Sequence, residues 1–145
     1  MICHIESSKF ESVSMNKEIW EDIEGYEGLY QVSNLGRIKS LRRRRKIGRG
    51  ATQPMPERIL KQNSAKYRMV TLSKDGIVEG RNVHRIVLIT FAGKAPNKYE
   101  TNHIDGNKHN NCLSNLEWVS SSENTLHSYR LGLQKKRRPQ RRVTQ

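Results

Sequence analysis

From Glu18 onward, apolar anchors alternate with turn residues. Ile19, Trp20 and Ile23 come first, Gly25 and Gly28 follow, and two short runs, LYQVS and RIKSL, flank Asn34-Leu35-Gly36. Two strand-like runs joined by a connection containing Asn and Gly predict a β-hairpin in which Gly36 takes a positive φ. Arg37 and Lys39 alternate approximately with Ile38 and Leu41, which puts both basic groups on one face of the second strand. The next stretch, IGRGATQPMPE, holds two glycines and two prolines and reads as a loop or linker. Beyond it RILKQ, YRMVTL and IVEGRNV predict a small antiparallel β-region, with Asp75-Gly76 turning between the last two.

The run VHRIVLITFAG, 83 to 93, points both ways. Its β-branched content favours a strand, while its length and closing Gly93 favour a helix, the reading adopted here. A short strand ending at Asn102-His103 then leads into a polar loop, and Asn115-Leu116-Glu117-Trp118-Val119 reads as a second strand with Leu116 and Trp118 facing the core. Ser120-Ser121-Ser122-Glu123 fits a capping box and Gly132 suits the residue after a helix end, so a helix is expected over roughly 121 to 131. Asn124 and His127, three apart on it, share a face. Trp20 and Tyr26 are expected to pack the N-terminal part. Residues 1 to 15 show no periodicity: they are either a flexible arm or a leader ahead of a true start at Met15.

Length and composition narrow the classes. At 145 residues the chain is about one domain with a modest core. Mean hydropathy is -0.84, no run is long enough for a membrane span, and MICHIESSKF lacks the basic-then-apolar order of a secretory signal. The expectation is an intracellular protein with no membrane partner. Cys3 and Cys112 are far apart and outside any C-x-x-C pair, which argues against a disulfide framework or a cysteine zinc site. The formal charge of +13 points to a polyanionic partner. Nearly all of it lies in LRRRRKIGRG (41 to 50) and KKRRPQRR (135 to 142), each with six basic and no acidic residues. Such runs bind phosphates through counterion release, or merely solvate an arm; neither role reads base sequence.

The densest candidate chemistry is TNHIDGNKHNN, 101 to 111. Folding its strand, loop and following strand against the last helix brings His103 near Asn124. Oxygen and imidazole groups there can share a hard divalent cation while a second imidazole takes a proton from water. Beside a basic surface, the natural substrate is a phosphodiester. Asp105-Gly106 reads as a turn and His109 as a solvated loop residue, while His84, next to Arg85 at a helix start, is either a cap or a phosphate contact.

NHIDGNKHNNCLSNLEWVSSSENTLH closely resembles the HNH nuclease family with its ββα-metal site, in the branch of phage and intron homing endonucleases. EIWEDIEGYEGLYQVSNLGRIKSL resembles the NUMOD4 element that often precedes this module, and VHRIVLITFAG the helix that introduces it. The resemblance covers roughly residues 18 to 132. It implies an α+β fold: a small β-rich N-terminal DNA-binding element followed by a ββα-metal nuclease module. The expected parts are a leader at 1–15, a NUMOD4-like element at 16–46, a linker and β-region at 47–82, the nuclease module at 83–132 and a basic tail at 133–145.

Carried over by position, the resemblance makes His103 the general base and Asn115, twelve residues on, the residue that ties the loop and orients the base. Asn124, 21 residues after His103, matches a metal ligand. Asn102 matches a position where several relatives carry a metal-binding Asp, so an amide here leaves the site short of negative charge. His127, at 24 residues, either completes the metal shell or contacts the scissile phosphate. The implied cofactor is Mg²⁺ or Mn²⁺, which would stabilise the charge on phosphorus and the leaving 3′ oxygen. The implied partner is double-stranded DNA, cut by a monomer or a homodimer in the cytoplasm of a bacterial host, with Arg37, Lys39, Arg42, Arg43, Arg44, Arg45, Lys46, His84 and Arg85 as candidate DNA contacts. Two rivals remain at this level: an HNH scaffold that binds DNA without turnover because Asn102 replaces an acid, and a basic RNA-binding protein.

Overall fold

The computed structural model describes residues 17–133, so the expected leader and the basic run of the tail lie outside the described residues. Strand β1 (Trp20–Asp22) pairs with β2 (Tyr30–Ser33), β2 with β3 (Ile38–Ser40), and β3 with the two-residue β6 (Arg58–Ile59), all antiparallel. The predicted hairpin is therefore β2–β3. Val32, Ser33, Ile38 and Ser40 of this hairpin are essentially fully buried. Lys39 and Arg37 face outward, 4.5 and 5.5 Å from the centre of the Trp20 ring.

The stretch read as a loop is instead a second hairpin, β4 (Arg43–Gly48) with β5 (Ala51–Met55). Arg49 and Gly50 both carry positive φ, as a two-residue primed turn requires. Pro54 fits because a two-stranded ribbon has only edges, where a missing N–H costs little. A third hairpin joins β7 (Met69–Lys74) to β8 (Ile77–Asn82) through the predicted Asp75-Gly76 turn.

Helix α1 (Val83–Ala92) resolves the ambiguous run in favour of helix. Val83, Ile86, Val87 and Leu88 are all buried, so packing on more than one side overrides the weak helix propensity of the β-branched residues. Strand β9 (Tyr99–His103) pairs antiparallel with β10 (Leu116–Ser120). Helix α2 (Ser121–Arg130) starts at the predicted capping box: Glu123 N–H donates to Ser120 Oγ at 3.3 Å and Ser120 N–H to Glu123 Oε2 at 2.9 Å. The chain is α+β, strand-rich with two helices.

One apolar core joins these pieces, with Val32 and Ile38 from the first sheet, Leu72 from β7, Val83, Val87 and Leu88 from α1, and Leu116 from β10. Full burial of each is worth roughly 1.5–3 kcal/mol. Tyr26 belongs to this core as expected, while Trp20 is only half-buried under its two cations. Trp118 packs against the core and donates its indole N–H to Gly93 O at 3.1 Å. Tyr30 fastens the first sheet to β7, its hydroxyl accepting from Ser73 N at 3.1 Å. No helix among the described residues is long and apolar enough to cross a membrane.

Candidate active site

Strand alternation sorts the site. Adjacent residues of β9 point to opposite faces of the β9–β10 ribbon, so consecutive positions serve different neighbours. His103 pairs with the core residue Leu116 and faces α1. Its ring centroid lies 5.2 Å from that of His84 on α1 and 6.4 Å from that of Tyr67, and Tyr67 and His84 are 5.0 Å apart. Asn102 pairs with Glu117, and Glu100 lies two positions before it on the α2 side.

Both site amides are held by carboxylates on that side. Asn102 Nδ2 donates to Glu117 Oε1 and Asn124 Nδ2 to Glu100 Oε2, each at 2.8 Å. A carboxylate only accepts, so these contacts fix which end of each amide is nitrogen and leave the amide oxygens for other partners. The Asn124 amide and the Ser121 hydroxyl lower the Glu100 pKa, so that carboxylate is ionised at neutral pH. His127 Nε2 is 3.1 Å from Ile104 O, an acceptor only; the ring proton is therefore on Nε2 and Nδ1 is its free lone pair.

These groups share one cleft of about 240 Å³, lined by Tyr67, Asn102, His103, Lys108, Asn124 and His127 among others. Four of the five residues proposed as catalytic or metal-binding thus come together there. The fifth, Asn115, is buried beneath the loop. Its Oδ1 accepts from Asp105 N at 3.0 Å, and its Nδ2 donates to Asp105 Oδ1 and to Asn110 O, both at 2.9 Å. Hydrogen bonds from Asn110, Asn107 and Asn115 lower the Asp105 pKa, keeping this knot anionic. Asn115 ties the loop, but the side chain bonded to the His103 ring is Asn111, with Oδ1 3.0 Å from Nε2.

Among the described residues, no three His, Cys, Asp or Glu side chains form a metal-binding group. The donors on offer are two amide oxygens and one imidazole, a set that fits a hard divalent cation better than a soft one. Glu100 and Glu117 were not anticipated from sequence, and they bring negative charge beside both amides. Finding them requires the β9–β10 register. Tyr67, with Lys108 Nζ 5.2 Å from its ring centre, was also missed, because it reaches the cleft from a loop far away in sequence.

The candidate DNA contacts divide. Arg42, Arg44, Arg45, Lys46 and Arg85 are exposed. Arg37 is exposed but ion-paired with Glu18, and Lys39 lies 3.7 Å from Glu57. Arg43 turns inward, donating to Leu29 O at 3.1 Å, Ser40 Oγ at 2.8 Å and Tyr30 Oη at 3.0 Å, and is a structural tie rather than a phosphate contact. His84 is neither cap nor phosphate contact: it is buried, and its Nδ1 has no hydrogen-bond partner among the described residues. His109 is not simply solvated either, since its Nε2 donates to Ala65 O at 2.9 Å.

Burial lowers the His84 pKa to about 4, with His103 and Arg85 adding to the effect. The ring is thus neutral at pH 7. Unfolded His84 gains its proton near pH 6.5 and the folded ring only near 4. The stability from keeping it buried is therefore complete above pH 6.5 and falls as pH drops through that window, by roughly 3 kcal/mol in all. Urea unfolding across this range is expected to show His84→Phe losing less stability than wild type. Equal losses would mean that other groups set the acid sensitivity.

The sequence of residues 18–73 matches the family model described as the NUMOD4 motif, and residues 81–126 match that described as HNH endonuclease. The DNA endonuclease I-HmuI of Bacillus phage SP01 is 37% identical over 105 residues, covering 72% of this chain and 54% of the relative. An uncharacterized HNH endonuclease, L247, of Acanthamoeba polyphaga mimivirus is 38% identical over 123 residues, covering 81% of this chain and 27% of the relative. This chain thus spans about a quarter to a half of the length of these two relatives. A solved structure described as DNA binding and cleavage by the HNH homing endonuclease I-HmuI superposes with a TM-score of 0.65 at 34% identity, covering 81% of this chain and 61% of that one.

Proposed function

The chain belongs to the HNH endonuclease family, with a NUMOD4 motif ahead of the nuclease module, and from that premise we propose that it is a metal-dependent endonuclease acting on double-stranded DNA. The observation that carries the reading is the convergence of His103, Asn102, Asn124 and His127 on one cleft. In this reading His103 takes a proton from the water that attacks phosphorus. Asn102 and Asn124 would hold a divalent ion, Mg²⁺ or Mn²⁺, through their amide oxygens, with His127 Nδ1 as a further ligand or a phosphate contact. The bound ion would supply electrostatic stabilisation of charge on the phosphoryl oxygens and the leaving group. Lys108 at the cleft and the exposed cations of β4 offer phosphate contacts, which fix position without reading sequence. The solved structure of I-HmuI, described as DNA binding and cleavage, supports DNA as the partner.

One cleft can cut one strand at a time. With supercoiled plasmid and Mg²⁺ or Mn²⁺, open-circular product is expected before linear product, and none in EDTA. The amide at Asn102 favours one competing reading, a DNA-binding scaffold without turnover. That reading takes over if the protein binds duplex in a salt-dependent way yet leaves the plasmid intact in every divalent metal tried.

A further inference from the structure

The NUMOD4 hairpin turn is built directly against the residue that holds the His103 ring. Gly36, at φ 81°, approaches Asn111 so closely that a Cβ there would sit 2.8 Å from the Asn111 carbonyl oxygen and 2.9 Å from its Cβ. One of these is a backbone atom, so the neighbour cannot swing aside as the end of a flexible side chain would. The turn is pinned on both sides. Leu113 N donates to Asn34 O at 2.8 Å, Gln62 Nε2 to Gly36 O at 2.7 Å, and Ile19 N to Asn34 Oδ1 at 2.9 Å. Asn111 is buried, its Oδ1 lies 3.0 Å from His103 Nε2, and its Nδ2 has no partner among the described residues.

We propose that Asn111 is the positioning residue for His103, and that the Asn34–Gly36 turn of the NUMOD4 element sets Asn111. This rests on the reading of His103 as general base. An amide oxygen can only accept, so Nε2 carries the ring proton and Nδ1 presents the lone pair to water. When Nδ1 takes the proton, the Nε2–H···O bond becomes charge-assisted and strengthens, so Asn111 favours the protonated product of the transfer over the free base. Ring orientation and tautomer are thereby set from the other end of the chain. The element that bears the proposed phosphate contacts of β4 would also complete the catalytic half.

Two-bond ¹H–¹⁵N correlation of the labelled full-length protein at mildly alkaline pH reads the tautomer directly. The Nε2–H form is expected for His103 in wild type and in Asn111→Asp, which keeps the acceptor, and a mixture in Asn111→Leu. Because a 1 Å misplacement of a reacting group costs up to about 100-fold, Asn111→Leu and Gly36→Ala are each expected to lower kcat roughly 10- to 100-fold, with KM and duplex affinity within a few-fold of wild type. Asn111→Asp should keep most of the activity. Gly25→Ala is the matched control: its φ is also 81° but no atom lies within 4 Å of the added Cβ, so the backbone strain is similar and nothing is pushed. Cleavage should survive it.

An Nδ1–H tautomer in wild type overturns the proposal, as does a Gly36→Ala protein with wild-type kcat and unmoved His103 resonances. If Asn111→Leu does not fold, the wild-type tautomer and the comparison of Gly36 with Gly25 still decide. Full cleavage by His103→Ala would instead remove the base reading, and the tautomer measurement would stand independently of it.

Discussion

Replacing His103 with alanine is expected to lower the cleavage rate by roughly 100- to 10,000-fold, the usual contribution of a positioned general base, while duplex binding measured in EDTA stays close to wild type. The ring is only 6% exposed and packs against His84 and Tyr67, so the variant also leaves a small void. Thermal unfolding separates the two effects. A variant that remains folded and bound yet fails to cut places the loss in the chemical step. One that cuts at the wild-type rate assigns the proton transfer elsewhere.

Asn124→Ala is expected to raise the Mg²⁺ or Mn²⁺ concentration needed for half-maximal cleavage by about 100-fold or more, exceeding the roughly 10- to 100-fold cost of losing an outer-shell partner. Helix α2 has no buried residue and Ala is the better helix former, so stability should change little or rise slightly. Glu100→Gln gives the comparison: the amide keeps a carbonyl acceptor for Asn124 but removes the charge, for an expected shift within the outer-shell range. Calorimetric titration with the ion in the absence of DNA checks both. Equal metal dependence in wild type and Asn124→Ala would take Asn124 out of the metal site.

Local chemistry made several elements legible before the structure. The capping box at Ser120, the Asn- and Gly-containing turn at 34–36 and the Asp75-Gly76 turn each impose a conformation within a few residues, and all three appear where expected. The β4–β5 hairpin was not legible. Its residues are mostly exposed on both faces, so there is no apolar alternation to find, and its Gly and Pro content imitates a linker. Within the site, His103, Asn102, Asn124 and His127 could be placed by spacing on a strand and a helix. The bond from Asn111 to His103, the burial of His84 and the two carboxylates behind the amides depend on contacts across elements, which a linear pattern does not encode. Arg43 shows the same limit from another side: a cation in a basic run looks available for phosphate until the fold turns it toward backbone carbonyls.

The β9–β10 ribbon gives one cleft two separate supports. Asn102 and His103 are neighbours in the chain, and neighbours in a strand lean to opposite faces, so two side chains that meet at one cleft are backed from different sides, Asn102 by Glu117 and His103 by His84 and Tyr67. Substitutions on the α2 side are expected to retune the proposed ion affinity while the packing around the His103 ring stays as it is, and changes at Tyr67 or His84 to do the reverse. A one-residue insertion or deletion within β9 before Asn102 has no such freedom. It would exchange the faces of the two side chains while leaving the ribbon's backbone pairing possible, taking each away from the neighbours that back it.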